Sequence, residues 1–472
     1  MKHIQLALAI LIAMIAMLSK TQTKKSNIIF ILLILMSCQK EFTPVSLSSI
    51  PDNSYQESID KPNVVLILVD DMGYEVPQFT GGQTYETPNL DEFAHSNLLF
   101  TECHSTPLGS PSRVELMTGK YSFRNYTWGD LETTNKTIGN LMKKAGYSTG
   151  IFGKWELGGG DASLKAFGFD HYVVHDALGA AERGPFYRNP RLYTRGGFLP
   201  DSATHNKYGD DIVQDSLFKF IDRHVKKGKP FFAYYPMILC HKPFQPTPDD
   251  PDFLTFDIST SDAKYYPSMV KYMDKLIGQL ITKIHQLGII NNTIIIFTAD
   301  NGTPQAITSL YNGDTIIGGK GLTTEYGTHV PLIVGWKDHT PVGIDSSLID
   351  FSDILPTLSD IGKADTSGYG TLDGTSFYHN IIGTNGINRD WIFCHFDAHP
   401  EDENRRHRLT RWVQNKTYKK YDTVASPQWR EGKFINFSID FYEPTTTIVG
   451  ANKTKEEKQL NNSFTKILSE LK

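Results

Sequence analysis

The run Val64-Val65-Leu66-Ile67-Leu68-Val69 limits the fold of this chain more than any other stretch. It is continuous, apolar and β-branched, with no polar alternation. That is how a strand covered on both faces reads. Such a strand needs packed layers above and below it. Residues 148–152, 230–235 and 293–298 have the same character. Between them lie stretches of helical spacing, 137–145 closed by Gly146 and 264–287 closed by Gly288. Strands alternating with helices predict an α/β fold: a large, mixed, mostly parallel sheet sandwiched by helices.

The pattern changes after about residue 385. Trp412-Val413, Thr417-Tyr418 and Phe434 to Phe437 read as short strands joined by polar turns. Leu460, Phe464, Leu468 and Leu471 share one helical face. A main domain over 62–385 and a small antiparallel sheet-plus-helix subdomain over 386–472 are therefore expected. The 472 residues suffice for a large core. The net charge of −5, with no basic stripe, argues against a nucleic-acid binder but not against an anionic small substrate. Of the four cysteines, Cys103, Cys240 and Cys394 read as small buried thiols, with no CxxC pair for zinc.

The fourth, Cys38, belongs to an address. Lys20, Lys24 and Lys25 precede an apolar run, Ile28 to Met36, too short to span a bilayer. The run ends Leu35-Met36-Ser37-Cys38, which resembles a bacterial lipobox. It implies a lipoprotein signal over 1–38, export, and a lipid anchor at Cys38 on the periplasmic or cell-surface side. A second apolar run, Leu6 to Leu18, lies upstream, and a start at Met17 would leave an ordinary signal. Residues 39–61, rich in Ser, Pro, Asp and Gln, read as a polar tether.

Asp70 and Asp71 come directly after the first strand, and Asp300 and Asn301 after the strand at 293–298. In an open parallel sheet the carboxyl ends of strands gather on one edge, where ligands bind. Three carboxylates brought together repel unless a cation lies among them. All four groups offer hard oxygens, which suit Ca²⁺ or Mg²⁺ rather than zinc.

Residues 107–120 read Pro-Leu-Gly-Ser-Pro-Ser-Arg-Val-Glu-Leu-Met-Thr-Gly-Lys. From Pro111 onward this resembles the sulfatase signature C/S-x-P-S-R-x-x-x-x-T-G. Ser110 is expected to cap a helix, with Pro111 in its first turn and Arg113 one turn in. A helix N-terminus and a planar cation form a natural seat for a sulfate. Further sulfatase landmarks occur in order along the chain. They include Asp70-Asp71-Met72-Gly73-Tyr74, Gly153-Lys154-Trp155-Glu156-Leu157-Gly158, His241 with Pro243, and Thr298-Ala299-Asp300-Asn301-Gly302. Gly319-Lys320-Gly321 leads on to Glu325 and Pro331. The chain past the tether is thus similar throughout to sulfatases, in the superfamily of alkaline phosphatases.

That resemblance implies hydrolysis of a sulfate monoester, on a sulfated carbohydrate or an aryl sulfate. It implies a metal, Ca²⁺ ahead of Mg²⁺, on Asp70, Asp71, Asp300 and Asn301. It implies Arg113 and Lys154 around nucleophile and sulfate, and His241 and Lys320 at the sulfate and leaving oxygen. In the family, a Cys or Ser at the head of the signature is oxidised to formylglycine. Here that position is Gly109, which has no side chain to oxidise. A sulfatase-maturing enzyme is a partner only for a Cys or Ser at 109. Glu156 is the second departure, standing where the family pattern has His. Besides turnover, the sequence leaves open a pseudo-sulfatase that binds sulfated glycans, attack by another nucleophile, and a phosphate-ester hydrolase of the same superfamily. Ser105, Ser110 and Ser112 are the nearest hydroxyls, each out of register. His395, His399, Arg405, Arg406 and Arg408 are candidates for a rim that meets an anionic sugar.

Overall fold

The computed structural model describes residues 61–126, 129–179, 182–397, 409–423 and 430–471. The signal and lipobox with Cys38, the tether up to residue 60, and His399, Arg405, Arg406 and Arg408 lie outside the described residues. Among the described residues no helix is long and apolar enough to cross a membrane.

The main sheet holds β1 (Asn63–Val69), β2 (Leu98–His104), β3 (Ser148–Lys154), β4 (His171–His175), β5 (Tyr193–Thr194), β6 (Gly197–Phe198), β7 (Phe231–Pro236) and β8 (Thr293–Ala299). After a separate hairpin, β9 (Thr308–Tyr311) with β10 (Asp314–Ile317), the sheet is completed by β11 (His329–Gly335) and β12 (Gly343–Asp350). The ten strands run in the order β12-β2-β11-β8-β1-β7-β3-β4-β5-β6. β8, β1, β7, β3 and β4 are parallel neighbours, and β11, β5 and β6 pair antiparallel. Every residue of β1 and β8 is buried. Each buried Val, Leu or Ile contributes about 1.5–3 kcal/mol, so the apolar runs set the centre of the sheet.

Six helices matter for the site and its support: α1 (Pro88–His95), α2 (Gly109–Thr118), α3 (Ile138–Lys144), α4 (Gly209–Lys226), α5 (Tyr266–Gln286) and α6 (Ile354–Gly362). α3 and α4 pack on β3, and α6 lies against α2 and α3. α3 starts with the capping box of Thr137 and Asn140. The helix expected from residue 264 begins as a short 3₁₀ turn, because Pro267 suits the first turn of α5 and not its interior.

Beyond residue 385 a four-stranded antiparallel sheet forms from β13 (Ile392–Phe396), β14 (Thr410–Gln414), β15 (Tyr418–Tyr421) and β16 (Phe434–Asn436). β13 is an addition to the expected strands, since Cys394 and His395 blur its pattern. The terminal helix α7 (Lys455–Glu470) lays Phe464 and Leu468 on Phe393, Val413 and Phe434. The loop after β10 is tied to this sheet by charge. The fully buried Lys419 donates to the Thr323 carbonyl at 2.9 Å and pairs with Glu443 at 2.5 Å and Glu325 at 3.4 Å.

Candidate active site

β1 and β8 run in register, Val69 beside Ala299, so their carboxyl ends release Asp70-Asp71 and Asp300-Asn301 side by side. All four side chains are fully buried. Asp71 takes a left-handed φ of 59°, uncommon outside glycine and typical of a constrained site. Its amide donates to Asp300 Oδ1 at 3.0 Å, and Asn301 Nδ2 donates to Asp71 Oδ1 at 2.8 Å. Asp70 Oδ1, Asp71 Oδ2 and Asn301 Oδ1 find no hydrogen-bond partner. A buried acceptor left unpaired costs about 1–3 kcal/mol, and more if charged. Three such oxygens in one cluster of hard donors fit a divalent cation. His241 reaches the same place: its ring nitrogen and one oxygen each of Asp70 and Asp71 lie within 4.8 Å of one another.

Fixed cations surround the cluster. Lys154 is the last residue of β3, behind Gly153 at φ 128°, where a Cβ would stand 1.9 Å from the Pro236 carbonyl oxygen. Only glycine lets β3 lie that close to the end of β7, and the next side chain is thereby aimed at the cluster. Lys154 Nζ donates to Asp70 Oδ2 at 2.7 Å. Arg113 Nη2 donates to Asp70 Oδ2 at 2.9 Å and to Asp300 Oδ2 at 2.8 Å. Lys320 Nζ donates to Asp71 Oδ1.

The charges sort the acids. Burial works to raise Asp70, but Lys154, His241, Arg113 and Lys320 together hold it well below the usual carboxylate range. Burial pushes Asp71 up to about 6 against the pull of Lys320. Burial and the negative charge of Asp70 push Asp300 up to about 6. Burial pushes His241 down to about 3, so its imidazole is neutral.

α2 begins at Gly109, with Leu108 as an extended N-cap that offers no side-chain cap bond. The expected capping role of Ser110 is therefore overturned. The turn is tied instead by Ser112, whose Oγ donates to the Leu108 carbonyl at 2.9 Å and accepts from the Thr106 amide at 3.1 Å. Ser105 is likewise held, on the carbonyls of Thr106 and Thr328. Gly109 faces the cluster: a Cβ there would lie 2.5 Å from Asp300 Oδ2 and 3.4 Å from Asn301 Oδ1. Position 109 thus points where an attacking group would stand. Glycine supplies no carbon to become an aldehyde, so formylglycine does not fit this chain.

Glu156 lies just past β3 at φ 68°, a second left-handed residue beside the cluster. Its Oε2 lies 3.4 Å from Lys154 Nζ and 3.9 Å from Arg113 Nε, yet accepts no hydrogen bond. Burial works to raise Glu156, but Lys154 and Arg113 outweigh it and keep it ionised. Arg183, absent from the expected set, comes within 3.9 Å of Glu156 Oε1 and forms an ion pair with Asp176 at 2.9 Å. No motif in the sequence marks it; it arrives on the loop between β4 and β5. His395 sits in β13 beside the ring of Phe123. Asp70, Asp71, Asp300, Asn301, Arg113, Lys154, Glu156, His241, Lys320 and Gly109 come together in one place.

Residues 62–364 match the family model Sulfatase. The chain is 28% identical over 382 residues to arylsulfatase A of Bos taurus, spanning 72% of this chain and 71% of that one. It is 30% identical over 355 residues to N-acetylgalactosamine-6-sulfatase of Mus musculus, spanning 68% and 66%. Among solved structures it resembles Ps i-CgsB in complex with k-i-k-neocarrahexaose, with a TM-score of 0.70 and 25% identity over 87% of this chain and 92% of that one. The phosphonate monoester hydrolase SpPMH from Silicibacter pomeroyi shares the fold, with a TM-score of 0.63 at 16% identity over 87% and 95% of the chains. The fold and the site define a metal-dependent hydrolase of sulfuric esters. The chain belongs to the sulfatase family.

Proposed function

We propose that the protein hydrolyses a sulfate monoester carried by a carbohydrate. The observation that supports this reading is the convergence of Arg113, Lys154, His241 and Lys320 on one acidic cluster with three unpaired oxygens. Asp70, Asp71, Asp300 and Asn301 would hold Ca²⁺, with Mg²⁺ the less suitable ion for a site with so many protein oxygens. When bound, such an ion polarises sulfate oxygens as a Lewis acid. Arg113 and Lys154 then bind the ester anion, and Lys320 stands ready to give a proton to the sugar oxygen as it departs. The carbohydrate is supported by relatives whose names specify N-acetylgalactosamine sulfate, and by the carrageenan-type ligand of a similar structure. Export and a lipid anchor at Cys38 belong to the same reading, since tethering at the surface suits the scavenging of polymers. Because position 109 is glycine, no maturing enzyme is part of it.

The test is sulfate release from N-acetylgalactosamine 6-sulfate and 4-nitrophenyl sulfate, measured by ion chromatography with calcium present. Release that stops on chelation is expected. Gly109 favours a second reading, retention of sulfated glycans without turnover; calorimetric binding of a sulfated oligosaccharide with no release from either ester would establish it instead.

A further inference from the structure

Both departures from the sulfatase pattern fall in one corner, and their chemistry is complementary. Gly109 withdraws the attacking group, and Glu156 brings in a carboxylate. The two share Arg113 as a neighbour. The Nε of Arg113 donates to Asp300 Oδ2 at 3.2 Å, the atom that a Cβ on Gly109 would approach to 2.5 Å. The same Nε lies 3.9 Å from Glu156 Oε2. That Glu156 oxygen is buried and accepts no hydrogen bond, so it has a lone pair free for a donor. Lys154 and Arg183 hold the carboxylate from two sides, and the left-handed backbone at 156 turns the side chain back toward the cluster.

We propose that Glu156 is the general base of this site, and that a water molecule rather than a side chain attacks sulfur. The inference rests on the sulfate-ester reading. Glu156 takes one proton from the water as its oxygen forms the bond to sulfur. The bond from sulfur to the sugar oxygen breaks with its electron pair on that oxygen, which takes a proton from Lys320. The products are the free alcohol and hydrogen sulfate, and the proton on Glu156 returns through solvent to Lys320. Nothing besides water is consumed. The reaction becomes a single displacement, with no covalent ester on the protein and no aldehyde to regenerate.

A mere counter-ion for Lys154 and Arg113 would behave differently. Neutralising it would free the two cations and tighten sulfate binding, changing KM more than kcat. The experiment compares the full chain with Glu156→Gln, Glu156→Asp and Glu156→Ala, with calcium, on 4-nitrophenyl sulfate and N-acetylgalactosamine 6-sulfate. A positioned base contributes about 10²–10⁴-fold, so Glu156→Gln is expected to lose that much kcat with KM little changed. Glu156→Asp keeps a carboxylate and part of the turnover, and added formate restores part of the Glu156→Ala rate. Glu156→Gln turning over like the parent overturns the inference and leaves the sulfatase reading standing. So does a loss confined to KM, or a Glu156→Ala rate indifferent to formate. A parent chain that releases no sulfate from either ester overturns both.

Discussion

Two corners of the site obey different rules. At the ends of β1 and β8, Asp70, Asp71, Asp300 and Asn301 keep the family pattern in full, and Arg113, Lys154 and Lys320 remain bonded to them. Beside them, at the start of α2 and the end of β3, Gly109 and Glu156 both depart. On the proposed reading the first corner binds, holding a cation and an anion whatever attacks. On the same reading the second holds the base that activates the attacking water. A fold can therefore keep its binding electrostatics while exchanging its nucleophile, because the two tasks fall on different side chains even where, as with Lys154 and Glu156, they share a strand end.

The sharpest way to break that division is Asp300→Ala. It strips Arg113 of a buried partner and removes a cation ligand. Breaking a buried pair costs about 3–5 kcal/mol, so urea unfolding should show that loss, and sulfate release should vanish. Gly109→Cys, expressed with a maturing enzyme, restores a fixed nucleophile if the Asp300 carboxylate yields the space its Cβ needs. A positioned group outdoes a recruited water, and turnover about 10²-fold above the parent is expected, with the modified cysteine visible by peptide mass spectrometry.

A smaller effect concerns pH. Without a cation, Asp71 and Asp300 titrate near 6 because burial favours their neutral forms. A cation needs both ionised, so protons compete with it. Calcium affinity measured by calorimetry should be level above about pH 7. Below that it should fall as pH falls, by about tenfold per unit for each carboxylate that must lose its proton. The smallest effect belongs to Arg183→Ala. Its side chain is 41% exposed, and exposed pairs are worth about 0.2–1 kcal/mol. A drop in kcat of less than about fivefold is expected, and a larger one would tie Arg183 to the chemistry itself.

The sequence made the binding corner legible because buried parallel strands write themselves as apolar runs, and the residues just past each run must lie at one edge of the sheet. Asp70 and Asp300 could be placed together on that ground alone. Lys154 and Lys320 needed the resemblance, since neither the glycine before Lys154 nor the pair flanking Lys320 gives a lysine a physical signature of direction. The capping role given to Ser110 failed because Leu108 takes the extended N-cap conformation and Ser112 ties the turn from inside the helix. Arg183 could not be foreseen, because its approach to Glu156 depends on how the loop between β4 and β5 folds back.

The ammonium of Lys419, sealed between Glu325 and Glu443, has a consequence for trimming the chain. Its bond to the Thr323 carbonyl falls three residues beyond Lys320, so the small sheet moors the segment that carries Lys320. A version ending before β14 would keep the residues of the large sheet and of the acidic cluster. It would strand a buried acid in that segment and leave Lys320 held only by Asp71, Thr303 and Gln305.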